Sequence, residues 1–429
     1  VSSPDLRPPA WKTIPLRYVC ELNPSVSFDQ LDDDEDLTFL PMDRVKSGYF
    51  IPHSDKFSKY GSSYTAFEDG DIVLAKVTPC FENGNIAIVD HLVGGKGFGS
   101  SELFVVRATA VDRRFLFYYF QSSMFKQDGE ASMTGAGGLK RVSPDVVRQH
   151  RLNCPSPALQ CAIATYLDRE TARIDGLVIE KERMLALLEE RRAALVSRLL
   201  TRGLNPNSPL KPSGLEWLGE IPAHWGLQRL KQLAEVRGGL TLGKKYSGAL
   251  MEYPYLRVAN VQDGYLELSN VLTVEVPASE AASHLLANGD VLMNEGGDVD
   301  KLGRGCVWRD EIMPCLHQNH VFAVRPHSVD SDWLALWTST LEAKRYFESH
   351  AKRSTNLASI SGSNIKELPV PLPSIEEQRA IQQLLAAKHA RLESVRNELR
   401  ASVALLSERR AALISAAVSG QIPQEEMVG

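Results

Sequence analysis

At 429 residues the chain exceeds what one hydrophobic core supports, because domains settle near about 100–200 residues each, so two or three are expected. A hydrophobic share of 43% beside 24% charged residues is that of a globular protein, and no apolar run is long enough to span a bilayer. The formal net charge of -5 argues against a protein that grips nucleic acid by its own charge, but leaves room for reading by a few placed side chains.

The first ten residues carry Pro4, Pro8 and Pro9 without an apolar core, so they do not read as a secretory signal and a cytoplasmic setting is expected. From about residue 11 to 150, short apolar runs are punctuated by Gly and Asn. Asp71 to Val77, Ile86 to Val89 and Leu103 to Arg107 predict strands, with a helical patch at Arg114 to Lys126 behind them. The acidic run Asp32-Asp33-Asp34-Glu35-Asp36 reads as a solvated loop rather than a cation site. Gly94-Gly95-Lys96-Gly97-Phe98-Gly99 reads as a flexible loop, since no strand-to-helix unit surrounds it.

Cys154-Pro155-Ser156-Pro157 then opens a helix, where proline is tolerated only at the start. Its apolar residues Ile163, Leu167, Ile174, Leu177, Leu185, Leu188, Leu195 and Leu199 fall in a heptad-like spacing of threes and fours. A Pro-rich stretch, Asn205 to Trp225, leads to a second globule over about 225 to 368, with strands at Asp290 to Met293 and His320 to Arg325 and a helical patch at Trp333 to Phe347. A second helix follows Pro369-Val370-Pro371-Leu372-Pro373-Ser374, with its stripe at Ile381, Leu385, Leu392, Val395, Val403, Leu406 and Leu413. The boundaries drawn are 1–153 and 225–368 for the globules, 154–204 and 369–420 for the helices, 205–224 for a linker and 421–429 for a tail.

The chain is an internal duplication. Glu190-Arg191-Arg192-Ala193-Ala194-Leu195 recurs as Glu408-Arg409-Arg410-Ala411-Ala412-Leu413, so position 190 returns at 408, an offset of 218. The same offset carries Pro155 onto Pro373, Gln160 onto Gln378, Ile163 onto Ile381 and Phe104-Val105-Val106-Arg107 onto Phe322-Ala323-Val324-Arg325. Gly70-Asp71 and Gly289-Asp290 open matching strands and read as structural turns. A helix of some 45 residues is a rod of roughly 65 Å that cannot bury its stripe alone, so the two should pair. A parallel pair would stretch the linker to nearly its full reach, whereas an antiparallel pair needs no return. The fold class is therefore α+β: two similar α+β globules separated by two long helices pairing as an antiparallel coiled coil, with pseudo-twofold symmetry. Two similar but unequal readers suit duplex DNA with a split, asymmetric target.

Ser213-Gly214-Leu215-Glu216-Trp217-Leu218-Gly219-Glu220-Ile221-Pro222-Ala223-His224-Trp225, together with Leu368 to Ile381 leading into Glu408-Arg409-Arg410, resembles the specificity subunit of type I restriction-modification systems. The resemblance spans nearly the full chain. It implies two target-recognition domains, each reading one half of a bipartite DNA sequence, and helices that dock two methyltransferase subunits. Restriction and translocation subunits would join the complex. Any S-adenosylmethionine, ATP and Mg would sit on those partners, and this chain would be non-catalytic and bind no cofactor. Ala158-Leu159-Gln160-Cys161 stands where the second helix has Glu376-Glu377-Gln378-Arg379, a departure expected to weaken capping or shift a contact. A coiled-coil scaffold that pairs two protein partners without reading DNA fits the duplication as well.

No catalytic signature interrupts this reading: Gly239 to Lys245 lacks the spacing and the Ser or Thr of a phosphate loop, and no Asn-Pro-Pro-aromatic or Asp-Pro-Pro-aromatic segment occurs. The six cysteines, Cys20, Cys80, Cys154, Cys161, Cys306 and Cys315, form no CxxC pair and should be reduced and mostly structural. Cys306, Cys315, His317 and His320 fit no common zinc spacing and read as buried cysteines with surface histidines, so no metal is expected. Candidate DNA contacts are Lys76, Lys96, Lys140 and Arg141 in the first globule. In the second they are Thr241, Lys244, Lys245, Arg304, Lys352, Arg353 and Asn356, because Arg and Lys bond guanine edges or phosphate and Asn bonds adenine. Glu190, Arg191, Arg192, Glu408, Arg409 and Arg410 would either face a partner subunit or make flanking pairs within the coiled coil.

Overall fold

The β-branched and aromatic runs of the first globule make strands because each can bury one or both faces against its neighbours. In the computed structural model, which describes residues 11–28, 35–56, 64–136, 138–244, 246–297, 301–353 and 357–427, the chain forms two units. The first comprises residues 1–182 and 399–429, the second 183–398. Both long helices, Pro157–Arg202 and Ile375–Val418, contribute one half to each unit.

The first unit is built on an antiparallel sheet in the order Cys20–Leu22, Leu103–Ala108, Ile72–Ala75, Ile86–Ile88. The second repeats it with Ala234–Arg237, Val321–Pro326, Val291–Asn294 and Gly305–Val307. A second sheet in each contains one parallel pair, Asp36–Leu40 with Lys96–Gly99 and Met251–Leu256 with Leu316–His317. Asp36 of the acidic run opens one of these strands, while Asp32, Asp33 and Asp34 lie outside the described residues. The glycine-rich segment expected as a flexible loop is likewise the strand Lys96–Gly99. Gly97 and Gly99 there pass so close to the Thr38 and Leu40 carbonyls that a side chain would collide.

The helical patches each break in two. Arg113–Phe120 and Ser123–Ala131 stand in the first unit, Ser331–Thr338 and Leu341–His350 in the second. Asp112 and Asp330 cap the first helix of each pair with their carboxylates, and Ser122 and Thr340 cap the second with their hydroxyls. The stretch expected as a linker holds a hairpin, Leu210–Pro212 with Glu220–Pro222, whose Leu218 and Ile221 join the core of the second unit.

A strand just before each long helix fixes where that helix starts. Lys12–Pro15 pairs with Arg151–Cys154, and Gly226–Arg229 pairs with Pro369–Leu372, in the same register. Gln160 then accepts a hydrogen bond from the Asp112 amide at 2.8 Å and donates to the Pro155 carbonyl at 2.9 Å. Gln378 does the same with Asp330 at 3.4 Å and Pro373 at 3.0 Å. Both side chains are buried, so each leaves no polar group stranded where the globule meets its helix. The sequence difference at the helix starts does not weaken capping. Ser156 Oγ accepts from the Leu159 amide at 3.4 Å as Ser374 Oγ accepts from Glu377 at 3.3 Å, because the serine is common to both. It does shift a contact: Glu377 accepts from the Trp225 indole at 3.1 Å, where Leu159 packs against the apolar core of the first unit.

Within each unit the helix halves run antiparallel. Ile163, Ala164 and Leu167 share the first core with Ile414, Ala417 and Val418, and Leu199 and Leu200 share the second with Ile381 and Leu385. Farther from the cores the stripe loosens, leaving Leu177, Ile179, Leu187 and Leu405 exposed. Two helices alone cover only one side of each other.

The expectation of surface histidines fails at His317, which is fully buried. Its Nδ1–H donates to the Val321 carbonyl at 2.7 Å, and burial pushes its pKa down to about 4. The neutral ring is the folded form, so stability is complete above the ordinary histidine pKa near 6.5 and declines as pH falls toward 4. Unfolding followed from pH 7 to 4.5 should show a loss on the order of 3 kcal/mol, blunted in His317→Gln. Removing the buried amide in Gln378→Ala or Gln160→Ala strands an amide and a carbonyl and should lower stability by about 1–3 kcal/mol in urea unfolding.

Candidate nucleic-acid interface

Each central sheet is pinned by an ion pair whose carboxylate is buried. Gly70 and Gly289, at φ of +93° and +90°, make the left-handed turn that drops Asp71 and Asp290 into the interior. Arg107 grips Asp71 with two hydrogen bonds of 2.8 Å, and Arg325 grips Asp290 with two of 2.8 Å. A fully buried carboxylate requires such a partner. The strands that carry the aspartates then run out to Lys76 in one unit and Glu295 in the other.

A small hairpin meets each strand end. In the first unit Thr134–Ala136 pairs with Leu139–Arg141, with Thr134 opposite Arg141. In the second Lys352–Arg353 pairs with Ala358–Ser359, with Lys352 opposite Ser359. The offset of 218 relates these two opposed pairs, position 134 to 352 and 141 to 359. Both hairpins are cationic, but on opposite strands: Lys140 and Arg141 in one, Lys352 and Arg353 in the other, all exposed.

The remaining candidates scatter. Lys76 lies against the Phe104 ring, with Nζ 5.4 Å from the centroid, close to Glu102 and Arg141. Arg141 holds Glu102 in a two-point pair of 2.8 Å each, which keeps the Glu102 carboxyl below its usual range and raises the arginine. Lys96 donates to the Ser27 carbonyl at 2.6 Å, tying down a neighbouring segment. In the second unit Lys244 pairs with Glu280 at 3.0 Å, next to exposed Thr241. Arg304 bonds Gln262 and lines a different hollow from Lys352 and Arg353, beside Lys344 and Arg345. Lys245 and Asn356 lie outside the described residues. Thus the structure gathers Lys76, Lys140 and Arg141 in one unit and Lys352 and Arg353 in the other, and leaves Lys96, Thr241, Lys244 and Arg304 apart from them.

Three polar residues at these places escape a search for cations: Glu102, Glu295 and His320. His320 Nδ1 meets Glu295 Oε2 at 2.6 Å, and both line a hollow with Lys352 and Arg353. The offset that aligned the strands could have found them, because it sets His320 over Glu102.

Residues 222–399 match the type I restriction modification DNA specificity domain. Over this segment the chain carries the DNA specificity domain of type I restriction-modification systems. It is 37% identical to the EcoAI specificity subunit of Escherichia coli over 140 residues, which is 32% of this chain and 23% of that one. It is 22% identical to the EcoKI specificity subunit of Escherichia coli strain K12 over 405 residues, 91% of this chain and 79% of that one. Against three of the curated relatives the matched region spans only 23%, 27% and 40% of the relative's length. Among solved structures, a chain from a study of complex assembly and conformational transition of the type I R-M system shares the fold, with TM-score 0.71, 18% identity and coverage of 97% and 99%. The HsdS subunit from Thermoanaerobacter tengcongensis gives a TM-score of 0.51 at 18% identity, covering 97% of this chain and 98% of that one.

The repeated Glu-Arg-Arg segments divide their side chains. Arg410 turns inward, donating to Asp175 at 2.9 Å and to Gln121 at 3.2 Å, and Arg192 donates to His389 at 3.2 Å. These two make flanking contacts across the helix pair. Glu190, Arg191, Glu408 and Arg409 are exposed. Of the four residues weighed as zinc ligands, Cys306 and Cys315 are buried free thiols and His320 is taken by Glu295. Among the described residues no helix is long and apolar enough to cross a membrane.

Proposed function

We propose that this chain is the non-catalytic DNA-specificity subunit of a type I restriction-modification complex. Each globule reads one half of a bipartite, asymmetric duplex sequence. The observation that carries this reading is the pair of cationic hairpins, set on the same buried framework in both units and differing in the side chains they present. A shared framework suits a shared task, and unequal surfaces suit unequal half-sites.

The helix pair docks two methyltransferase subunits, with restriction and translocation subunits completing the assembly. Support for docking comes from the apolar residues that two helices leave uncovered, Leu177, Ile179, Leu187 and Leu405, beside outward Glu190, Arg191, Glu408 and Arg409. Partners that also hold DNA answer the charge of -5, because phosphate neutralisation need not come from this chain. S-adenosylmethionine, ATP and Mg belong to those partners.

Expressed with the methyltransferase subunit of its own system, the chain should direct adenine methylation to one split sequence. Exchange of residues 11–150 for those of another specificity subunit should alter one half of that sequence, read by sequencing methylated adenines. A change in both halves, or in neither, overturns the proposal. In the assembled complex, Lys352→Ala with Arg353→Ala should weaken binding to all duplexes and reduce the slope of log K against log salt by roughly 1 for each phosphate no longer neutralised, with unchanged melting. A scaffold that reads no DNA would show neither effect.

A further inference from the structure

The duplication places two pairs of positions on one backbone frame and inverts their chemistry. In the first unit the Lys76 amide donates to the Glu102 carbonyl at 3.0 Å, and the Lys76 carbonyl accepts from Val142 at 2.8 Å. In the second the Glu295 amide donates to His320 at 2.9 Å, and the Glu295 carbonyl accepts from Ile360 at 2.8 Å. The hairpins attach equivalently as well, through Val77 to Arg141 and through Gly296 to Ser359. The main chain is therefore fixed without help from these side chains, which are free to differ.

They differ in a directed way. Lys76 and Arg141 offer donors and no acceptor, and Glu102 is occupied in holding Arg141. Glu295 is an acceptor, held by the His320 ring, and Ser359 replaces Arg141 at the matching hairpin position. Glu295 and His320 keep 28% and 56% of their side-chain surface exposed, so the core does not require them. They line a hollow of about 480 Å³ together with Lys352, Arg353 and Ser359. Buried structural pairing is served elsewhere, by Asp71 with Arg107 and Asp290 with Arg325.

Donors suit the O6 and N7 acceptors of guanine, whereas a carboxylate suits an exocyclic amino group, N4 of cytosine or N6 of adenine. We infer that these are the base-discriminating positions of the two units: Lys76 with Arg141 reads guanine in one half-site, and Glu295, oriented by His320, reads an amino-bearing base in the other. The neighbouring hairpin cations hold phosphate. This inference rests on the DNA-reading function proposed above.

The test uses the full chain expressed with its methyltransferase subunit, with methylated sequences determined genome-wide for wild type, Glu295→Ala, Glu295→Lys and Lys76→Ala. Glu295→Ala should lower the preference at one position of one half-site about tenfold and leave the other half unchanged. Whether that position holds cytosine or adenine in the wild type identifies the base. Glu295→Lys should move the preference toward guanine, and Lys76→Ala should relax one guanine in the opposite half. Should the Glu295 variants fail to fold by thermal melting, Lys76→Ala, altered in the other globule, decides. Folded variants that methylate the wild-type sequence with unchanged preference overturn the inference while the subunit's function stands. A wild-type chain that directs methylation to no fixed sequence overturns the function itself.

Discussion

The buried glutamine at the start of each long helix is the constraint on which the rest of the structure depends. Gln160 and Gln378 each take an amide from the residue that caps a globule helix, Asp112 or Asp330, and give an amide hydrogen to the proline-rich turn. Those aspartates are themselves occupied in capping, so one small network fixes the globule helix, the turn and the long helix together. A leucine could fill the volume but would leave an amide and a carbonyl buried without partners, a cost of about 1–3 kcal/mol. A glutamate would add a buried charge. The side chain is therefore specified by polar satisfaction rather than by size.

From that joint outward, rigidity is handed on by different physics. The Asp71–Arg107 and Asp290–Arg325 pairs lock the central sheet where it turns inward, and their geometry is nearly identical in the two units. Beyond them the strands emerge at Lys76 and Glu295, where main-chain hydrogen bonds alone set the frame. Side chains at that edge can change without disturbing the fold. This separation explains how one duplicated scaffold tolerates two unrelated surfaces: the polar groups that must be satisfied lie behind the edge, and those that can vary lie on it.

How much of this is legible in the sequence follows from which forces leave a periodic trace. The long helices announce themselves, since a stripe at threes and fours persists over many turns, and Gln160 aligns with Gln378 without a gap. The strands of the central sheets are legible by another signal, short continuous apolar runs, because Ile72–Ala75 and Val291–Asn294 are buried along their whole length. His317 is not: its strand is two residues long, too short to show alternation, and its burial comes from a parallel pairing with distant Leu256. The hairpin at residues 210–222 is hidden by its prolines, which suggest a linker although Pro212 and Pro222 sit at the strand ends, where a missing amide costs little. Lys96 looks like an exposed cation in a glycine-rich loop, whereas those glycines serve close strand packing.

The candidate site shows a further limit. Searching for cations finds Lys140, Arg141, Lys352 and Arg353, since affinity for a polyanion selects positive charge. It misses Glu295, because an acidic residue near phosphate looks unfavourable when affinity is the criterion. Discrimination obeys another rule: a carboxylate costs affinity against every duplex but loses least where an amino group receives it. Under the proposed function partner subunits supply most of the affinity, so in a chain of net charge -5 such a residue is tolerable. The duplication makes it visible, because two copies under the same structural demands should agree wherever structure decides, and at 76 and 295 they disagree in sign. Where the frame is shared and the charge is reversed, packing does not dictate the residue, and the base reading proposed above accounts for the difference.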